Sequence, residues 1–240
     1  MADRDDVLRV GTWNCKMGLR RKVDALLDLD LDLCVLPESS RDDLAALSGG
    51  RGLWVGDNPL KGLGVMSPRG TVELTQLPSA TETSHFLPVR CAGAVELTLI
   101  AVWSFAYRSG VVALAEALAA HSAMIDQATV IAGDFNAGAA IDRGRKFYPA
   151  ASWLAEHGMA SAYHVHHDVD YGDEPNPTYW HRHRVDEPFH IDYCFVPAAR
   201  TEAVGGASVG RFEDWAHLSD HAPLVVELGV GDFRRPLPTS

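Results

Sequence analysis

The chain has 240 residues, 47% of them hydrophobic and 22% charged, which suits one large domain or two small ones and excludes a disordered polymer. Its net charge of −11 excludes a protein that coats DNA or RNA through a broad basic surface. It does not exclude a nuclease, because a metal site clusters carboxylates that a bound cation offsets.

In chain order, the N-terminus MADRDDVLRV lacks the apolar centre of a signal peptide. Residues 7–13 read as a first strand ending at Asn14. Residues 21–29 place Val23, Leu26 and Leu27 at helical spacing. Residues 33–36 form a second buried strand, followed by Pro37, Glu38 and Ser39, and 42–47 a short helix. Strand-like pieces follow at 53–55, 64–66, 72–77, 86–90 and 95–103, separated by turn residues. Residues 111–125 are alanine-rich and helical. Residues 129–132 are apolar and partly β-branched, as a buried strand should be, and Gly133, Asp134, Phe135 and Asn136 follow. A helix over 151–157 stops at Gly158, and 168–177 are a polar loop. Strands at 189–196, 208–212 and 222–228 complete the chain, with a frayed tail over 231–240 after a single domain spanning 1–230. So many consecutive strands predict largely antiparallel sheets, two of them packed face to face with helices outside, an α+β sandwich.

Cys15, Cys34, Cys91 and Cys194 form no C-x-x-C pair, so a cytoplasmic location with reduced thiols is expected. No apolar run is long enough to span a bilayer, so no membrane insertion is expected, and the chain is expected to be a monomer.

Polar residues recur at strand ends: Asn14, Glu38, Asp134 with Asn136, and Asp220 with His221. Asp192 lies inside the apolar run HIDYCFV. A carboxylate there is costly to bury unless paired, and a histidine is the expected partner.

The set TWN (12–14), PES (37–39), GDFN (133–136), IDY (191–193) and SDH (219–221) resembles the endonuclease/exonuclease/phosphatase superfamily in order and spacing. The resemblance implies a four-layer αββα sandwich, a divalent ion (Mg²⁺ or Mn²⁺) and hydrolysis of phosphoesters. By the same resemblance Glu38 is the main metal ligand, with Asn14 beside it and Asp220 in the metal shell. Asp134 orients and activates the attacking water, Asn136 holds a phosphate oxygen, His221 stabilises charge at phosphorus, and Asp192 fixes the tautomer of His221. Lys16 stands where some relatives carry an acid, which puts a second metal in doubt. Many relatives place a His or Tyr in the segment that reads VWSFAYRSG here, so Ser104 and Tyr107 are candidate substrate contacts.

A second motif, HVHHD, brings His164, His166, His167 and Asp168 together. It resembles the metallo-β-lactamase-like signature but lacks the final histidine, so a zinc site there is disfavoured. The expected activity is that of a metal-dependent phosphodiesterase on DNA, RNA or a nucleotide-like compound. A phospholipid head group or sugar phosphate is the rival substrate, and a binding protein that kept the fold without catalysis ranks below both.

Overall fold

In the computed structural model, residues 6–80, 86–104 and 112–233 are described. The chain begins with β1 (Val7–Thr12), α1 (Val23–Leu27), β2 (Leu33–Ser39) and α2 (Arg41–Ser48). It continues with β3 (Leu53–Asn58), β4 (Lys61–Met66), β5 (Val72–Gln76), β6 (Phe86–Gly93) and β7 (Leu97–Trp103). Next come α3 (Val112–Ala120), β8 (Thr129–Asp134), α4 (Phe147–Glu156), β9 (Met159–Ser161) and α5 (Ala162–His167). The last elements are β10 (Tyr179–Trp180), β11 (Pro188–Phe189), β12 (Asp192–Pro197), β13 (Val204–Val209), α6 (Phe212–Trp215) and β14 (Leu224–Gly229).

Two six-stranded sheets result, one in the order β13-β14-β1-β2-β4-β3 and the other β5-β6-β7-β8-β12-β9. Each is antiparallel except for one internal parallel pair, β1 with β2 and β7 with β8. These sheets are therefore mixed and, as expected, largely antiparallel. Each parallel pair needs a crossover, and α1 and α3 lie in those two connections.

Alternation along each strand sorts the side chains into two faces. Leu8, Val10, Leu33 and Val35 from one sheet meet Leu99, Ala101, Val130 and Ala132 from the other in the central core. The opposite faces pack under helices. Cys34 and Leu36 lie with Leu26 of α1 and Leu44 of α2. Ile100 and Ile131 lie with Leu118 of α3 and Leu154 of α4. The architecture is the expected four-layer sandwich.

Several boundaries differ from the sequence reading. Helix α4 begins at Phe147 rather than 151 because Pro149 falls in its first turn, where a missing N–H costs nothing. Helix α5 was not expected, since its buried Tyr163 and His164 mask its apolar side. The ordered chain also runs past 230: Phe233 is fully buried, and its carbonyl accepts the Glu96 N–H at 2.7 Å. Residues 234–240 lie outside the described residues.

Candidate active site

The site is built where β1, β2 and β8 end and β12 begins. Asp192 is the cross-strand partner of Asp134, and Trp103 flanks Asp134 on the other side. The neighbouring Gly133 has φ +149°, and a Cβ there would stand 1.8 Å from the Val102 carbonyl oxygen. Only glycine fits that close pairing, so the strand delivers Asp134 without a bulge.

Asp134 is fully buried. Its Oδ2 accepts from the side-chain amides of Asn14 (2.9 Å) and Asn136 (3.0 Å), and its Oδ1 accepts from the Asn136 N–H (2.8 Å). Burial, helped by the neighbouring Asp192 charge, pushes its carboxyl up to about 7 against the pull of His221 and the two asparagines. The second N–H of the Asn136 amide goes to the Ser104 carbonyl at 2.6 Å. Both amide protons of Asn136 are therefore committed to holding Asp134 and Ser104. Holding a phosphate oxygen, the role the resemblance implies, would require giving one up.

Asp192 is equally buried and accepts from Nδ1 of His221 at 2.9 Å. Burial alone would lower the imidazole pKa, but the Asp192 carboxylate outweighs it and, with Asp134 and Asp220, raises His221 to about 9. His221 is thus an imidazolium at neutral pH. Its Nδ1–H is taken by Asp192, which leaves Nε2–H as the donor for an incoming oxyanion. The other Asp192 oxygen, Oδ1, is buried without a hydrogen-bond partner.

The loop carrying His221 is fixed from two sides. Ser219 Oγ donates to the Asn14 carbonyl (2.8 Å) and accepts the His221 N–H (3.1 Å), and Trp13 Nε1 donates to the His221 carbonyl (3.0 Å). On the other side, Thr178 Oγ1 accepts both the Ile191 and Asp192 N–H groups at 3.0 Å, while the Thr178 carbonyl accepts the Ala222 N–H at 2.8 Å. Thr178 therefore ties the strand bearing Asp192 to the loop bearing His221. Thr178→Val keeps the shape but strands two buried N–H groups, so it is expected to destabilise the fold by about 1–3 kcal/mol. Urea unfolding of the two proteins checks this.

Glu38 sits at a register shift between Pro37 and Ser39, with φ +59°. One carboxylate oxygen accepts from the Asn14 amide at 3.4 Å, and the other faces Lys61 Nζ at 3.1 Å. Beside it, Asp220 pairs with Lys16 Nζ at 2.8 Å. Burial pushes the Asp220 carboxyl up, but Lys16 and His221 outweigh it and hold the group below the usual range. Lys16 Nζ also lies 2.7 Å from Nε2 of His183, whose Nδ1 faces the Ala216 carbonyl at 3.1 Å. Of the nine described non-glycine residues with positive φ, six belong to this rim: Lys16, Met17, Glu38, Asn136, Arg182 and His183. Strained backbone of this kind persists only where surrounding contacts hold it, and it gathers at functional sites.

The sequence profile of the Endonuclease/Exonuclease/phosphatase family matches residues 11–221. The chain belongs to this family. No curated protein matches it at a significant level. Solved structures do. The endonuclease domain of TRAS1, a telomere-specific non-LTR retrotransposon, is 17% identical with a TM-score of 0.71, over 93% of this chain and 99% of that one. The 3′ phosphatase NExo from Neisseria, bound to a product DNA hairpin, is 18% identical with a TM-score of 0.69, over 92% and 99%. An AP endonuclease from Archaeoglobus fulgidus is 15% identical with a TM-score of 0.69, over 91% and 98%. At these identities the likeness establishes the fold.

Most of the residues that the family resemblance singles out meet at this edge: Asn14, Glu38, Asp134, Asn136, Asp192, Asp220 and His221. Ser104 contributes its backbone, its N–H donating to the Asp134 carbonyl at 2.9 Å. Tyr107 lies outside the described residues. The HVHHD stretch forms no metal cluster among the described residues. His164 lies between Ser161 Oγ (2.8 Å) and Glu174 (3.1 Å), and His167 faces the Ala207 carbonyl (2.9 Å). Among the described residues, the only three or more His, Cys, Asp or Glu side chains whose ligand atoms converge are Asp134, Asp192 and His221, within 4.8 Å of one another. His221 Nδ1 is engaged by Asp192 and Asp134 is held by the two asparagine amides, so the trio is a hydrogen-bonded acid–base unit. His190 is buried, and burial lowers it to about 4. Lys61, Thr178 and the Lys16–His183 contact were not foreseen, because no local pattern marks a residue whose partners lie far along the chain.

For a divalent ion, the donor chemistry fits at Glu38. Its carboxylate is a hard oxygen donor, the class Mg²⁺ prefers. The Asn14 amide turns its NH₂ to that carboxylate and its oxygen to the Lys16 N–H, so it would have to rotate to add a second donor. Lys61 beside it shows that the position attracts a cation. All four cysteines are buried and unpaired, so no thiolate competes for the ion.

Proposed function

We propose that this protein is a divalent-metal-dependent phosphodiesterase acting on nucleic acid or a nucleotide-like compound. The observation that carries the reading is the convergence of Asn14, Glu38, Asp134, Asp192 and His221 at one edge of the two sheets, each fastened by the hydrogen bonds described above. Glu38 and Asn14 would hold the ion, which when bound neutralises phosphate charge and makes a coordinated water more acidic. Asp134, poised near 7, accepts the proton of the attacking water at neutral pH. Asn14 and Asn136 fix its orientation, so the base is preorganised. His221, held cationic by Asp192, donates from Nε2 to the charge that develops on the phosphoryl oxygens.

One of the similar folds holds a product DNA hairpin, which supports nucleic acid as the substrate class. A second reading, a phospholipid head group or sugar phosphate, is favoured by the net charge of −11, which repels a long polyanion. A panel of plasmid DNA, oligonucleotides, dinucleotides and phosphomonoesters with Mg²⁺ and Mn²⁺ separates the two. Turnover of only small, non-nucleotide phosphoesters supports the second.

The ion site has its own test. Glu38→Ala is expected to lose most Mg²⁺ or Mn²⁺ binding in titration calorimetry. Undiminished binding would place the ion elsewhere, with the Asp134, Asp192 and His221 cluster first to be examined.

A further inference from the structure

The carboxylates of the site are already matched by cations of the chain. Asp192 has His221 at 2.9 Å, Glu38 has Lys61 at 3.1 Å, and Asp220 has Lys16 at 2.8 Å. Asp134 is held by two asparagine amides instead. The three matches differ in how firmly they are built. Lys61 is joined to Glu38, with the Trp103 ring 5.6 Å away as its other contact. Lys16 is held from several directions. Its N–H donates to Asn14 Oδ1 at 3.0 Å, and its backbone is left-handed at φ +47°. Its ammonium bridges Asp220 and His183. The His183 side has consistent chemistry: an Nδ1–H that donates to the Ala216 carbonyl leaves Nε2 as the acceptor a lysine needs. His183 is itself left-handed at φ +58°, as is Arg182 at φ +54°. Two strained loops, distant in sequence, thus meet on one lysine nitrogen.

We propose that Lys16 is a resident cation of the active site: its ammonium occupies Asp220 in place of a second divalent ion, so that the site takes a single ion, at Glu38. This deepens the reading given under Proposed function and rests on it. A second ion near Asp220 would have to displace a lysine that three partners hold. Adding a charge of +2 beside the Lys16 ammonium would also be opposed by it. Lys16 thus supplies, beside Asp220, fixed positive charge that an ion would otherwise bring.

The test is titration calorimetry with Mn²⁺ and with Mg²⁺ on wild type, Lys16→Asp and Asp220→Asn, with melting curves to confirm folding. Aspartate is among the residues best tolerated in the left-handed region, so the backbone at position 16 accepts it. Wild type should bind one ion, and Lys16→Asp should bind two, the second through the introduced carboxylate and the released Asp220. Asp220→Asn should keep the wild-type affinity. If Asp220 were a ligand or oriented one, that change would weaken binding about 10–100-fold. Two ions on wild type, one ion on a folded Lys16→Asp, or weakened binding in Asp220→Asn each overturn the proposal. Asp220→Asn is nearly isosteric and decides the matter should Lys16→Asp fail to fold. No ion on wild type removes the metal-dependent reading itself and this inference with it. One ion bound through Asp220 removes this inference alone.

Discussion

Replacing His221 with alanine is expected to lower stability by about 3–5 kcal/mol, the usual cost of removing one partner from a buried ion pair. The cause is Asp192. It is fully buried, His221 is the cation bonded to it, and its Oδ1 has no hydrogen-bond partner. Without the imidazolium, that carboxylate stays buried and unbalanced. Turnover should fall as well, because the proposed donor to the phosphoryl oxygens is gone. Chemical unfolding at neutral pH reads the first effect, and a variant as stable as wild type would contradict the buried pairing.

The same pair gives a pH signature that separates it from loss of packing. His221 is raised from 6.5 to about 9, so the folded protein binds this proton more tightly than the unfolded chain does. The stability it contributes is fully present below pH 6.5 and is lost as pH rises through 9. At about 1.4 kcal/mol per pKa unit, the loss is roughly 3 kcal/mol. Asp134 acts with the same sign, lower on the scale, because its pKa is also raised in the folded protein. Its folded value of about 7 against an ordinary 3.8 makes its burial a cost that grows between those limits and is constant above them. Between pH 7 and 9, therefore, wild type should lose the stability that the His221 proton contributes, and the curve of His221→Ala should lack that loss. Parallel curves for the two proteins would mean that the histidine is not charged in the folded state.

The residues legible in the sequence share one property: each ends or begins a strand that is itself legible. The apolar runs before Asn14, Glu38 and Asp134 mark three buried strands, and the rigid end of a buried strand is where a polar side chain can be aimed. Asp192 stood out for the opposite reason, as a charge inside an apolar run that had to have a partner. Lys16 was noticed only as a departure from the family pattern, and its contact with His183 spans 167 residues. Thr178 acts through a hydroxyl that accepts two backbone N–H groups 13 and 14 residues further on. Such a role depends on how β12 and the 220–222 loop are brought together and leaves no periodicity to read. The parallel pairs inside each sheet were missed for a related reason. Strand-like runs show that strands exist, but direction depends on crossovers through α1 and α3.

Asp134→Asn carries the largest expected effect on chemistry. It removes the proposed general base, and general-base contributions are commonly about 10²–10⁴-fold, so single-turnover hydrolysis should fall at least that far. The change is less innocent structurally than its size implies. Oδ2 accepts two side-chain amides and Oδ1 accepts the Asn136 N–H, so an asparagine must turn its own NH₂ toward a donor. That mismatch costs about 1–3 kcal/mol. Removing a buried charge that repels Asp192 offsets part of it. The variant should therefore fold with a modestly lowered melting temperature. Substrate affinity should hold or tighten, since a negative charge facing the phosphate is gone. The pH dependence supplies the decisive contrast. With a base near 7 and an acid near 9, wild-type turnover should climb through about pH 7 and decline as His221 loses its proton. The variant should lose the climb and keep the decline. Near wild-type single-turnover rates in a folded Asp134→Asn protein would make Asp134 a structural residue at a strand end and would remove water activation from the mechanism.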